Sequence, residues 1–209
     1  MPYAYGMQGY AMVQAQSAMG TGLTGSMYAV PFVSENIVQK YDQLVQTGVR
    51  NRFFENAYAH GKHTIGGNIT LEANPVAMGS FLLGASGRVV ATSGAGWPAG
   101  TGSMTAHQFI PNCQDLSDRA AVRPVTLRVH RGDTTSSFLF YDLFVNQLTF
   151  NFPQGQFMSV AVDLIGGNLA TASSQLVVPT FDPLAPFRWD QTSISWAGVG
   201  ITDVEDLTI

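Results

Sequence analysis

The sequence predicts a mainly β domain of antiparallel strands with one short helix. First, apolar and polar residues alternate in segments of strand length, such as NITLE and LTFNF. Second, turn signals rich in Gly, Pro and Asn separate these segments. Third, the chain has a single clear helix start, with Asn74 as the cap, Pro75 at the first helical position, and Gly84 or Gly87 as the end.

Composition adds a shortage of charge to this picture. The 209 residues suit one domain, yet only 11% are charged, against roughly 25% in a typical globular protein. We therefore expect copies of the same chain or other partners to cover much of the surface. An extracellular β protein with an uncharged polar surface is the alternative. The net charge is −4 and the basic residues are scattered, which excludes a basic stripe for gripping nucleic-acid phosphates.

Cysteine usage and the N-terminus limit the compartment. The single cysteine, Cys113, excludes an internal disulfide framework and fits folding in a reducing cytoplasm. The N-terminus has no basic segment followed by an apolar core, so it does not resemble a secretory signal. No apolar run approaches the length of a membrane span, and membrane insertion is not expected.

The first 33 residues contain no charged residue and show neither helical nor strand periodicity. They form either a low-complexity tail or an arm that orders against a neighbouring subunit, so that removing residues 1–27 would leave the domain folded. The predicted organisation is an arm over residues 1–33 and a β domain over 34–209. Within that domain, Ser34 to Gly48 fits a helix with Ser34 as its cap, and an extended arm is the alternative.

Strand patterns follow one another from His63 onward. Gly155 is expected at a positive φ in the turn PQGQ, and the long strand is expected to bulge near Asp142. Three similar segments, GGNITLEANP, VNQLTFNFPQ and VEDLTI, suggest a duplicated hairpin. The last of them leaves a terminal strand without a return partner, which we expect to be paired outside the chain. The expected strands cover His63 to Glu72, Val122 to His130, Phe138 to Phe152, Phe157 to Ile165, Phe187 to Trp196 and the terminal VEDLTI.

The hairpin Val145 to Ile165 has two distinct faces. Face parity puts one apolar set in the core: Leu148, Phe150, Phe152, Met158, Val160, Val162 and Leu164. The opposite face is polar and nearly uncharged: Gln147, Thr149, Asn151, Ser159, Ala161 and Asp163.

The sequence offers few signs of catalysis or metal binding. HGKH places His60 and His63 near Glu55 and Glu72, but two histidines without a defined third ligand are a weak metal signal. RGD, which begins at Arg131, is more simply explained as a hairpin turn than as an adhesion motif. We expect no catalytic residue, no metal and no cofactor.

Five segments in order resemble the tail tube proteins (major tail proteins) of long-tailed bacteriophages: YAVPFVSENIV, HTIGGNITLEANPVAMGSFLLGASG, PVTLRVHRGD, FYDLFVNQLTFNFPQGQFMSVAVDLIGGN and PFRWDQTSISWAGVGITDVEDLTI. The resemblance implies a β-sandwich or small barrel with a flanking helix. It also implies hexameric rings with a continuous inner β-barrel, which stack into a tube for DNA delivery. The implied partners are the chain itself, a tape-measure protein, a tail terminator and DNA in transit. The implied location is the virion tail, after assembly in the bacterial cytoplasm.

Other functions remain open from the sequence. The chain is alternatively another virion protein, such as a tail terminator or a capsid decoration protein, or a β-fold binding module. In a tube, we hypothesise that Gln147, Thr149, Asn151, Ser159 and Asp163 line the lumen, because a basic wall would retain passing DNA. The rival hypothesis is that this face meets external solvent.

Overall fold

The computed structural model describes residues 9–20, 27–45, 58–93, 105–111, 123–131, 137–172, 180–181, 185–191, 194–196, 199–201 and 206–208. Within these ranges the chain is mainly β, with one α-helix, α1 (Pro75–Ser86), and a short 3₁₀ helix (Trp189–Gln191). The strands are β1 (Tyr10–Ala15), β2 (Tyr28–Val30), β3 (Phe32–Glu35), β4 (Val38–Val45), β5 (Tyr58–Glu72), β6 (Gly87–Ser93), β7 (Thr105–Pro111), β8 (Val125–His130), β9 (Ser137–Pro153), β10 (Ser159–Ile165), β11 (Asn168–Ala172), β12 (Thr180–Phe181), β13 (Ile194–Trp196), β14 (Val199–Ile201) and β15 (Asp206–Thr208).

Most of these strands belong to one curled sheet in the order β12-β2-β1-β8-β9-β10-β5-β3. Val30 of β2 pairs with Ala11, and Phe32 of β3 pairs with Leu71. Pro31 alone separates these two strands in the chain, so the Cα atoms of Val30 and Phe32 lie within about 7 Å of each other. The sheet must therefore curl until β2 approaches β3, which produces a half-barrel. The predicted mainly β, antiparallel fold with one helix is confirmed.

Strand β9 serves both halves of the sheet. Its first half pairs with β8 and β11, and its second half pairs with β10 and β15. The predicted bulge near Asp142 is present, because the register with β8 shifts there and Asp142 has φ 58°. Asp142 is buried and accepts hydrogen bonds from Gln16 Nε2 at 2.9 Å and from the Gly20 N–H at 2.8 Å. These bonds attach the segment after β1 to the bend.

Helix α1 covers the concave side of the sheet. It starts at Pro75, as predicted, and the Met78 N–H donates to the Asn74 carbonyl oxygen at 2.9 Å. Phe81 is fully buried in the same apolar cluster as Leu127. A Cβ on Gly84 would lie only 3.0 Å from Val125 Cγ2, so a glycine here lets the helix approach the sheet closely. The helix ends before Gly87, whose φ of 79° suits a residue without a side chain.

The predicted helix over Ser34 to Gly48 is wrong for the residues of it that the structure describes, 34–45, and the extended alternative is right there. This stretch forms β3 and β4, both paired with β5. The two strands are separated at Asn36, whose N–H donates to the Asn68 carbonyl oxygen at 3.0 Å. A long partner strand satisfies the backbone of this segment more completely than a weakly periodic helix would, and non-local pairing decides the outcome.

The N-terminal 33 residues are not only an arm. Strand β1 lies inside the sheet between β2 and β8, and it pairs with β8 from Tyr10 to Ala15. Tyr10, Ala11, Met12 and Val13 are all buried. A strand buried on both faces has no polar alternation, which explains why the pattern suggested no strand. The expectation that the domain folds without residues 1–27 assumed that these residues lie outside the fold. Because they contain β1, that assumption is wrong.

The C-terminal region also differs from the expectation. Within the predicted strand Phe187 to Trp196, a 3₁₀ helix occupies Trp189–Gln191, and β13 pairs with β14. The terminal strand β15 does have a partner in its own chain, since Leu207 pairs with Phe152 of β9. The predicted duplicated hairpin is wrong, because VNQLTFNF and the aromatic segment directly before it, SFLFYDLF, lie in the single strand β9.

Candidate assembly and lumen surfaces

The polar face predicted from the hairpin is continuous across two strands. Ser159 pairs with Asn151, Ala161 with Thr149, and Asp163 with Gln147, so these side chains share one face. Gln147 and Asn151 are exposed, whereas the other four are half-buried. Asn146, at a second irregularity in β9, donates from Nδ2 to Asp163 Oδ2 at 2.7 Å.

Strand β5 extends this face, which sequence reasoning missed. Glu72, Thr70 and Asn68 of β5 pair with Ser159, Ala161 and Asp163 respectively. Thr70 Oγ1 donates to Asn68 Oδ1 at 3.2 Å. We call these nine residues the polar face; it contains two carboxylates and no Lys or Arg. Only long-range pairing joins β5 to the hairpin, so no local pattern revealed the extension.

The opposite side of the hairpin packs against the core. Val160, Val162 and Leu164 are at most 1% exposed, and Met158 is also buried. The β9 members of the predicted set are half-buried and pack against the same cluster: Leu148, Phe150 and Phe152. The hairpin thus separates an apolar interior from an accessible polar surface.

A two-stranded ribbon extends beyond the rest of the sheet. It consists of β4 and residues 58–65 of β5, which pair from Val38 to Val45, whereas the pairing of β10 with β5 ends at Gly66. Every β4 side chain except Gln39 is exposed. The exposed fractions of Tyr41, Leu44 and Val45 are 53%, 58% and 58%. Large apolar side chains are therefore accessible on both faces of the ribbon.

The histidines of HGKH lie on this ribbon. A one-residue irregularity between Tyr41 and Gln43 brings the rings of His60 and His63 near Tyr41, at centroid distances of 5.1 and 6.0 Å. Glu55 lies outside the described residues. Among the residues that the structure describes, no three His, Cys, Asp or Glu side chains form a group that could hold a metal ion.

An aromatic hollow lies at the β9–β10 turn. It measures about 340 Å³ and is open to solvent; Gly155, Gln156, Phe157, Arg188, Trp189 and Asp190 line it. Gly155 has the predicted positive φ, at 71°. The Trp189 N–H donates to the Gln156 carbonyl oxygen at 3.2 Å, which attaches the 3₁₀ helix to the turn. Arg188 and Asp190 form an ion pair at 3.0 Å.

Arg131 of the RGD motif is engaged within its own chain. Its guanidinium pairs with the Glu35 carboxylate and donates from Nη2 to the Ile37 carbonyl oxygen at 2.8 Å. It also lies over the Phe138 ring, 4.8 Å from the centroid. Arg131 thereby holds the corner between β3 and β4, a role that the motif did not suggest. Gly132 and Asp133 lie outside the described residues.

The convex side of β1 and β8 carries a buried polar cluster. Arg128 is 1% exposed, and the rings of Tyr10 and His130 stack at 4.9 Å. Burial raises the pKa of Tyr10 above its ordinary value, and the positive charge of Arg128 partly opposes that rise. Sequence reasoning missed this cluster because its members are brought together by strand pairing alone.

Comparison with solved structures finds distant similarities of fold. The SPP1 tail tube is 9% identical, with 82% of this chain and 80% of that chain covered and a TM-score of 0.46. The cap of the anti-feeding prophage is 12% identical, with 78% and 88% covered and a TM-score of 0.42. The Hcp protein is 9% identical, with 79% and 98% covered and a TM-score of 0.34.

Comparison of the sequence gives a more decisive result. No curated protein matches the chain. None of the helices that the structure describes is long and apolar enough to cross a membrane. The family model described as phage tail tube protein matches residues 10–209, which begins at β1 and includes the polar face, the ribbon and the hollow. The chain therefore belongs to the phage tail tube protein family and is a structural subunit of a phage tail tube.

Proposed function

We propose that six copies of this chain form a ring, and that rings stack into the conduit through which the phage delivers its DNA. The hexamer comes from resemblance to the family. In this proposal the polar face lines the channel, a tape-measure protein occupies it during assembly, and a terminator protein caps the tube. Assembly takes place in the cytoplasm of the host, and the chain has no catalytic activity.

The observation that carries the proposal is the chemistry of the polar face. Duplex DNA binds a basic wall by releasing counterions, which would retain the genome inside the tube. The polar face has Asp163 and Glu72 as its ionisable groups and no cation. A neutral to weakly acidic wall repels phosphate slightly and offers it no ionic partner, which suits a passage more than a binding site.

The open edges of the sheet support ring formation. On the polar-face side the pairing order runs β15-β9-β10-β5, with β3 and β4 along the other edge of β5. No strand among the described residues covers the outer edge of β15 or of β4. Unpaired edges invite pairing with another chain, and edges that join head to tail close a ring when the rotation is right.

Adding positive charge to the polar face tests the lumen assignment. The double variant Thr149→Lys and Ser159→Lys should form normal tubes but slow genome ejection, most strongly at low salt where phosphate contacts are strongest. The matched control replaces the same two residues with Gln, which adds length without charge. Ejection at the wild-type rate at every salt concentration would place this face outside the channel. Alternatives such as a capsid decoration protein predict no tubes from the purified chain.

A further inference from the structure

The aromatic hollow continues the polar face at one end of the β9–β10 hairpin. Met158 and Val160 pack in the core. Side chains of an extended strand alternate between its two sides, so Phe157 lies on the other side, together with Ser159 of the polar face. Arg188 pairs with Phe157 in an antiparallel bridge and therefore shares that side. The hollow thus borders the surface that we propose as the channel wall.

The hollow offers a flat aromatic surface to a ligand. Phe157 is 46% exposed, and Trp189 is half-buried beside it. The Trp189 N–H donates to the Gln156 carbonyl oxygen at 3.2 Å. The Met158 N–H donates to the Phe187 carbonyl oxygen at 2.9 Å, so hydrogen bonds fix the backbone on both sides of the hollow. The volume of about 340 Å³ is at the lower end of the ~300–1,000 Å³ range of ligand pockets, which suits one planar ring system.

The rim of the hollow is polar and electrically neutral. Arg188 and Asp190 form an ion pair at 3.0 Å, so their charges cancel and the rim favours neither an anion nor a cation. A guanidinium donates hydrogen bonds, a carboxylate accepts them, and the Gln156 amide does both. These are also the side-chain types that bind the edges of nucleobases. An aromatic floor with such a rim fits a neutral, planar ring that carries donors and acceptors on its edge.

We infer that the aromatic hollow binds an unpaired nucleotide of DNA, whose base stacks on the aromatic floor. The inference rests on the proposed function, which brings DNA past this surface. In duplex DNA each base is paired and stacked between its neighbours, so the duplex passes without engaging the hollow. A single-stranded end exposes its base faces, and stacking on aromatic side chains accepts every base type. The hollows of one ring thus hold a single-stranded end while the duplex behind it stays free.

Binding of oligonucleotides to purified tubes tests the inference. A labelled oligodeoxythymidine of about 20 nucleotides should bind at least about tenfold more tightly than a duplex of the same length, because only the single strand offers base faces. The preference should persist in high salt, which screens phosphate contacts but not stacking. Equal binding of the two, or a preference that high salt removes, would overturn the inference. Tubes that bind a neutral maltooligosaccharide and not the oligonucleotide would overturn it as well.

Substitution in the hollow locates the contact. Phe157→Leu and Trp189→Leu each remove a ring but keep an apolar side chain, and each should weaken single-strand binding at least about fivefold. Trp189→Phe keeps a ring and should retain most of the binding. The matched control is Phe181→Leu, at an exposed aromatic residue of β12 outside the hollow. Wild-type binding by both leucine variants of the hollow would overturn the inference.

Electron microscopy of the same samples separates this inference from the proposed function. The hollow variants should form tubes of normal appearance, with a wild-type circular dichroism spectrum. Normal tubes that show no preference for the single strand would overturn the inference and leave the tube function intact. Wild-type protein that forms neither rings nor tubes would instead refute the proposed function.

Discussion

Gly67 offers a stability prediction whose magnitude follows from the structure. Its φ is +152°, and a Cβ there would lie 2.7 Å from the Asn36 carbonyl oxygen and 2.7 Å from Ile37 Cα. Both contacts are with backbone atoms, which cannot rotate away. Ile37 is fully buried, and the Asn36 N–H bond to Asn68 holds the corner in place. Gly67→Ala therefore displaces the corner between β3 and β4.

The cost of this substitution combines two effects. A residue with a side chain in this backbone region costs about 1–3 kcal/mol. Loss of the backbone hydrogen bond from the Asn36 N–H to the Asn68 carbonyl oxygen adds up to about 1 kcal/mol. For a chain of this length, a total of about 3 kcal/mol corresponds to a fall in Tm of roughly 6–12 °C.

Gly79 provides the matched control within the same protein. It lies in the interior of α1, and nothing lies within 4 Å of the position that its Cβ would occupy. Gly79→Ala should stabilise the helix by about 0.5–1 kcal/mol, because alanine loses less backbone entropy on folding. Thermal unfolding followed by circular dichroism, at matched concentration and assembly state, compares the two variants. If Gly67→Ala melts within about a degree of wild type, the close packing at this corner is refuted.

Two further predictions concern the N-terminal strand. Deleting residues 1–15 removes β1 and its pairing with β8, so we expect insoluble or unfolded protein. The control, deletion of residues 1–8, leaves β1 intact and should give folded protein. If the longer deletion gives soluble protein that melts cooperatively, the prediction is contradicted. Burial raises the pKa of Tyr10, so its contribution to stability is present below pH ~10 and is lost as the pH rises, because the unfolded chain ionises first. Tyr10→Phe should flatten the alkaline loss of stability seen in denaturant melts; equal alkaline loss in wild type and Tyr10→Phe would refute this.

Local signals in the sequence were sufficient for α1 and for the β9–β10 hairpin. Asn74 and Pro75 determine where the helix starts. Asn74 caps the backbone of the first turn and Pro75 has a fixed φ that suits a helix, so the start depends on few distant contacts. Gly155 likewise determines the hairpin turn through its own φ. Both features are encoded within a few residues of where they act, and the structure has them where the sequence predicted them.

The ribbon and β1 needed the structure, for opposite physical reasons. Strand β1 is buried on both faces, so its composition lacks the polar alternation that marks a strand. Strand β4 is exposed on both faces, and its apolar residues Tyr41, Leu44 and Val45 happen to match a helical spacing as well. In each case pairing with another strand decides the structure, with the distant β8 for β1 and with the next strand, β5, for β4. Neither segment encodes its partner.

The shortage of charge pointed correctly to assembly but not to its location. In a chain with 11% charged residues, uncharged polar and apolar side chains must occupy much of the accessible surface. The structure places these two kinds of side chain on different surfaces. The polar face is accessible through Gln147 and Asn151, which are uncharged, and the ribbon is accessible through apolar side chains. In the proposed tube, the two surfaces would therefore have different neighbours: water and passing DNA for the polar face, and protein for the ribbon.

Strand β9 shows how much a sequence reveals once bulges are considered. The residues of β9 that contact the core change parity twice: Phe138 and Phe140 are even, Leu143 and Val145 are odd, and Leu148, Phe150 and Phe152 are even again. Each change coincides with a register shift, the first beside Asp142 and the second at Asn146. In a regular strand one such slip would turn every following apolar side chain to the solvent face. The two bulges therefore keep one side of a 17-residue strand apolar while the sheet curls, and they leave Gln147, Thr149 and Asn151 on the polar face.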